Sequence, residues 1–284
     1  MVHLALVANA VLMIVMPLYL GRLIAARRKT GWGLFAIGAA TFVASQVVHL
    51  PFNWLVLQRF EWIPTDTAVP GNLILLSGFV GLSAAAFEEG ARYLTYRFWA
   101  RDARTWGRGL MLGAGHGGIE AIILGVFAAI NTGAMIAIRH GRLLSLIPPE
   151  QMQLVQEQIA AVFATPWYLI LLGAAERFFA LILHLSLSLL VMQCFTRGRL
   201  RWLLAAILWH TLVDGLAVTA ASMWGAVAAE AVIGVIALIS VGIIFALRTP
   251  EPEEPEPAPL PAVGSTAPIT IEPTADMLER SRYS

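Results

Sequence analysis

Four stretches of this 284-residue chain place ionisable residues among neighbours that are almost entirely apolar. Glu88, Glu89 and Arg92 form the first, and His116 and Glu120 the second. Glu176, Arg177 and His184 form the third, and His210 and Asp214 the fourth. Glu88 and Arg92 are four residues apart, as are His116 and Glu120, and His210 and Asp214; Arg177 and His184 are seven apart. Each interval returns a helix to nearly the same face. Paired glutamates beside histidines, kept from bulk water, suit the activation of a water molecule. Arg92 can hold one glutamate as an ion pair while the other serves as general base. Histidines bind a metal as neutral imidazoles or donate hydrogen bonds to an oxyanion. His116, His184 and His210, with Glu120 alongside, also make a chemically reasonable zinc set.

The elements that carry these residues follow from composition. Hydrophobic residues make up 58% of the chain and charged residues 13%, with a mean hydropathy of +0.73. Soluble domains are closer to a quarter charged, so most of this chain belongs in lipid. The net charge of +1 gives no case for nucleic acid as a partner. The single cysteine, Cys194, excludes an internal disulfide framework and a cysteine zinc site. A spanning helix needs roughly 20 apolar residues. Apolar runs and their breaks predict seven, at about 3–22, 32–57, 71–98, 109–138, 166–195, 202–222 and 224–247. The fold class is therefore an all-α, polytopic membrane bundle over 1–248, with the chemistry-bearing core at about 71–222. The first run has its basic residues after it (Arg22, Arg27, Arg28, Lys29) rather than before it, so it reads as a membrane helix and not as a cleaved signal.

Loop charges alternate. Arg27, Arg28 and Lys29 follow helix 1, Arg101, Arg104 and Arg108 follow helix 3, and Arg197, Arg199 and Arg201 separate helices 5 and 6. The positive-inside rule then puts the N-terminus outside, the C-terminus in the cytoplasm and the chain in the cell membrane. Between helices 4 and 5, Leu154, Val155, Ile159, Val162 and Phe163 predict one apolar face of a short interfacial helix. Residues 249–284 are Pro- and Glu-rich and predict a disordered tail.

A charged side chain at the bilayer centre costs at least ~2.5–3.5 kcal/mol, so these groups must face one another or water. Counted at ~1.5 Å per residue from the cytoplasmic ends, Glu88, His116, Glu120, His184, His210 and Asp214 all fall roughly 10–18 Å deep. Only Glu176 sits deeper, at roughly 28 Å. Four helices running in alternating directions thus bring their polar groups to one layer.

With FEEGAR at 87–92, GAGHGGIE at 113–120, the Arg177-to-His184 spacing and HTLVD at 210–214, the chain resembles the YhfC-type membrane peptidases. That family lies within the wider group of PrsW proteases and type II CAAX prenyl endopeptidases. The resemblance covers roughly 80–220. It implies hydrolysis of a peptide bond in a membrane-embedded protein or peptide, by a protease of metallo- or glutamic type. It places the general base on Glu88, and metal binding or oxyanion stabilisation on His116, Glu120, His210 and Asp214. The CAAX enzymes carry EExxxR and end their last motif in Asn; this chain has EExxR and HxxxD. Together, residues and resemblance nominate Glu88, Glu89, His116 and His210 as catalytic. Arg92, Glu120, Arg177, His184 and Asp214 support them, and His116, Glu120, His184 and His210 are the zinc candidates.

Plainer roles compete for some of these. Glu89 with Arg92, and Glu176 with Arg177, read equally as structural ion pairs, and Asp214 as a group that orients His210. GAGHGG has the form of a dinucleotide motif, but it opens a membrane helix with no preceding strand, so its glycines read as points of close helix approach. His3, His49 and His140 fall near membrane edges or outside the shared layer. A proton-coupled transporter would use similar buried Glu and His chains, and a non-catalytic scaffold would keep them for packing. Internal inverted repeats, the mark of many transporters, are not evident.

Overall fold

The structure, a computed structural model, describes residues 1–250. The predicted tail lies outside the described residues from position 251 onward. The described chain folds into α1 (Val2–Arg28), α2 (Trp32–Trp54), α3 (Pro70–Leu94), α4 (Trp106–Arg139), α5 (Met152–Ala164), α6 (Trp167–Ile170), α7 (Leu172–Thr196), α8 (Arg201–Trp224) and α9 (Ala226–Ala246). There is no strand among the described residues. Among the described residues, seven helical stretches are long and apolar enough to cross a membrane. They fall on the seven predicted runs, and the chain is a multi-pass helical membrane bundle.

Boundaries differ where polar residues prolong a helix past its apolar run. α1 continues through Arg27 and Arg28 and stops at Lys29, which takes a left-handed conformation at φ 50°. α4 begins at Trp106, earlier than hydropathy predicts, because the Thr105 hydroxyl caps it by accepting from the Arg108 amide at 3.4 Å. α2 and α3 each close on a widened turn, at Leu55–Arg59 and Thr95–Trp99. The predicted interfacial helix is α5. Ile159 is its one buried residue, Val155, Val162 and Phe163 are partly covered, and Leu154 is exposed, so the apolar face is narrower than its sequence implies.

Packing centres on α4 and α7. α4 lies against α1, α2 and α7; α3 lies against α8; α9 covers α7 and α8. α7 is the most enclosed span, with 72% of its most apolar window buried against 33% or less in every other. The glycines of α4 explain how closely its neighbours approach. A Cβ on Gly115 would stand 2.0 Å from the Phe35 carbonyl oxygen, and one on Gly38 of α2 would stand 2.1 Å from that of Leu112. On the face toward α7, a Cβ on Gly117 would stand 2.6 Å from the His184 ring. In lipid, such backbone proximity is what drives helices together. Gly115→Ala is accordingly expected to lower stability by ~1–3 kcal/mol or more, read as earlier loss of monodisperse protein on heating in detergent. Gly133→Ala, on the same helix with nothing within 4 Å, should leave that curve unchanged.

Candidate active site

The close α2–α4 and α4–α7 crossings set the ionisable residues of α3, α4, α7 and α8 against one another. Glu89 and Arg92 are fully buried and paired through Arg92 Nη1. The other face of the Glu89 carboxylate is met by α8, where its Oε1 accepts from His210 Nδ1 at 2.9 Å. His210 Nε2 lies 3.4 Å from Asp214 Oδ2, so this imidazole has a carboxylate on each side. Arg92 extends the network to α7, its Nη2 donating to His184 Nδ1 at 3.2 Å. His184 Nε2 donates to Glu120 Oε2 on α4 at 2.9 Å. Arg177 donates to Glu120 and also to Glu176. An uncompensated charge in this interior would be costly, and each has an opposite or hydrogen-bonding partner.

Glu88 and His116 stand at the centre. His116 Nε2 donates to Glu88 Oε2 at 3.1 Å. The three imidazoles form a row, with ring centroids 5.0 Å apart between His116 and His184 and 5.7 Å between His184 and His210. Phe42 of α2 closes one side, its ring 5.3 Å from that of His116. One donor atom each from Glu88, His116 and His184 lie within 4.8 Å of one another, and all three residues are buried.

Two observations test whether this trio suits a metal ion. His116 Nδ1 is buried with no hydrogen-bond partner, as is Arg92 Nε in the same network, and of the two only the imidazole nitrogen can offer a lone pair to a metal. Glu120 receives the Nε2 proton of His184, and a carboxylate that fixes an imidazole in this way is the usual companion of a metal-binding histidine. One carboxylate and two imidazoles form a donor set that zinc accepts. The residues fit.

The structure thus gathers all nine site residues nominated from the sequence, but divides them more finely. Glu88, His116 and His184 converge. His210 stands apart from them between Glu89 and Asp214, and Glu120 is shared by Arg177 and His184. Glu176 marks the margin, its side chain 43% exposed. A narrow cavity of about 60 Å³ between α7, α8 and α9 is walled by Phe179, Ala180, Leu183 and Val213. Arg177 and Asp214 also line it.

Helix 2 is where sequence reasoning fell short. His49, which the sequence sets aside with His3 and His140, is buried and hydrogen-bonded to Gln46, Asn53 and Ser83. Gln46 in turn donates to Glu88 Oε1 at 3.0 Å. A signal was present in the spacing of positions 46, 49 and 53 along one helical face. His3 and His140 are exposed.

Comparison with known proteins places the chain in a family. The family model described as YhfC intramembrane metalloprotease matches residues 12–237, which take in every residue of the layer. The chain is 35% identical over 238 residues to a Bacillus subtilis (strain 168) protein described as uncharacterized membrane protein YhfC, spanning 78% of this chain and 88% of that relative. No solved structure matches the chain.

Proposed function

The chain belongs to the YhfC intramembrane metalloprotease family, and from that premise we propose that it hydrolyses a peptide bond of a membrane-embedded protein or peptide, with Glu88 at the reacting water. The observation that carries this reading is the convergence of Glu88, His116 and His184 within 4.8 Å inside a bundle of apolar spans. These three residues would hold a divalent metal, zinc by the character of the donor set. When bound, such a metal polarises a carbonyl and makes water a stronger acid.

The remaining roles follow from the chain's own contacts. Glu88 is the carboxylate at the centre of the trio and receives the proton of the attacking water. Glu89 is fully engaged by Arg92 and His210, so it holds those two side chains in place. His210, between Glu89 and Asp214, is placed to steady the developing oxyanion and to pass a proton to the departing amine. Glu120 and Arg177 fix the ring of His184. The small cavity lined by Asp214 and Arg177 has room for water at the edge of the network. The working core is 71–222 together with the adjoining face of α2. The loop charges favour a site in the cytoplasmic half of the cell membrane, with the N-terminus outside.

The test is chelation of the protein in proteoliposomes that carry a membrane-anchored reporter peptide. Hydrolysis should stop on metal removal and return on addition of zinc. Full activity in metal-free protein would overturn the metal reading, and no cleavage of any membrane-anchored peptide by the zinc-loaded protein would overturn the protease reading.

A further inference from the structure

α2 lies outside the four helices that carry the charged layer, yet it contributes a continuous line of polar contacts ending on Glu88. Asn53 Nδ2 donates to His49 Nε2 at 2.9 Å, and His49 Nδ1 lies 3.2 Å from Gln46 Oε1. Gln46 Nε2 then donates to Glu88 Oε1 at 3.0 Å. We infer that Gln46 is a positioning residue, which holds one oxygen of Glu88 so that the other, Oε2, is turned toward His116 and the metal-binding trio; His49 and Asn53 fix the direction in which Gln46 points. This rests on the proposed metal reading and adds a fifth helix to the machinery.

The direction of the line follows from elementary hydrogen-bond chemistry. The amide nitrogen of Asn53 can only donate, so His49 Nε2 must accept and the ring proton lies on Nδ1. The Ser83 hydroxyl, 3.2 Å from the same Nε2, donates to the Val80 carbonyl at 3.1 Å and leaves that lone pair to Asn53. His49 Nδ1 therefore donates to the Gln46 oxygen, and the Gln46 nitrogen is left to meet Glu88. The reversed amide would set the Gln46 oxygen against a carboxylate oxygen and leave two acceptors face to face. With Oε1 occupied in this way, Oε2 is the oxygen directed at His116 Nε2, 3.1 Å away. Packing holds the line in register. His49 is buried, its ring lies 5.4 Å from that of Phe87, the residue before Glu88, and Phe42 on the same helix abuts His116.

The test measures metal binding rather than turnover. Zinc affinity of the detergent-purified full-length protein is determined by competition with a chromophoric chelator, and the cobalt-loaded protein is examined by visible absorption. Gln46→Leu should bind zinc ~10–100-fold more weakly, the usual effect of removing a group that orients a ligand. Its cobalt bands should shift. Gln46→Glu keeps the volume but sets a carboxylate against Glu88, and should weaken binding as well. His49→Phe, which leaves Glu88 and Gln46 intact, should produce a smaller loss in the same direction, and it decides the matter if Gln46→Leu does not fold. Wild-type affinity and cobalt spectrum in folded Gln46→Leu, or in His49→Phe should the former be lost, would overturn the assignment. Wild-type protein that binds neither zinc nor cobalt would overturn the metal reading itself, and this inference with it.

Discussion

Glu88→Gln is expected to leave the protein folded and in the membrane while lowering turnover by ~10²–10⁴-fold, the range associated with loss of a general base. The substitution keeps the shape of the side chain and preserves an oxygen that can accept from Gln46 or His116. It removes the charge and basicity that a reacting water requires and, since Glu88 is also one of the three convergent donors, should weaken zinc binding as well. Glu89→Gln should behave differently. Glu89 is buried against Arg92 and His210, and removing one partner of a buried ion pair costs ~3–5 kcal/mol. Its signature is therefore loss of thermal stability, with loss of activity as a consequence. Rates and melting curves of both variants, measured in one detergent, separate the roles. Wild-type turnover in folded Glu88→Gln would remove Glu88 from the chemistry.

The second large effect concerns which histidines hold the metal. His116→Ala and His184→Ala should each abolish stoichiometric zinc in the purified protein, because each removes one of only three convergent donors. His210→Ala should keep its zinc and lose turnover, since the ring of His210 is engaged by Glu89 and Asp214 rather than by the trio. Elemental analysis of the three variants beside wild type is sufficient. Zinc retained by His184→Ala but lost from His210→Ala would reverse the partition and return His210 to the metal set.

Much of this architecture is legible in the sequence, because lipid imposes a severe constraint. A charge inside an apolar span has few places to go, so Glu89, Arg92, Glu120 and Arg177 announce an interior network as soon as the spans are drawn. Depth follows from helical rise, and residues four or seven apart disclose a shared face. Helix rotation is less legible. Whether Glu89 or Glu88 meets His210, and whether His184 or His210 joins His116, depends on tens of degrees of rotation fixed by crossings such as Gly115 against Phe35. Hydropathy does not report that angle. Gln46 escaped notice for another reason. A neutral amide adds far less insertion cost than a carboxylate, so it raises no alarm in an apolar helix, although it touches Glu88 as directly as His116 does. His49 lies outside the four charged stretches, so only the fold, through packing against Ser83 and Phe87 of α3, ties it to Glu88.

The enclosure of α7 has a consequence for biogenesis. Helices enter the bilayer in chain order, so α7 brings Arg177 and His184 after α3 and α4 have delivered Arg92 and Glu120, the partners that receive them. The last member of the network to arrive is α8, whose His210 completes the coordination of Glu89. A nascent chain that stalls before α8 therefore carries an incompletely satisfied carboxylate within lipid, together with the bare side of α7 that α8 and α9 would have covered. Completion of the reactive layer and enclosure of α7 thus both wait on the insertion of α8.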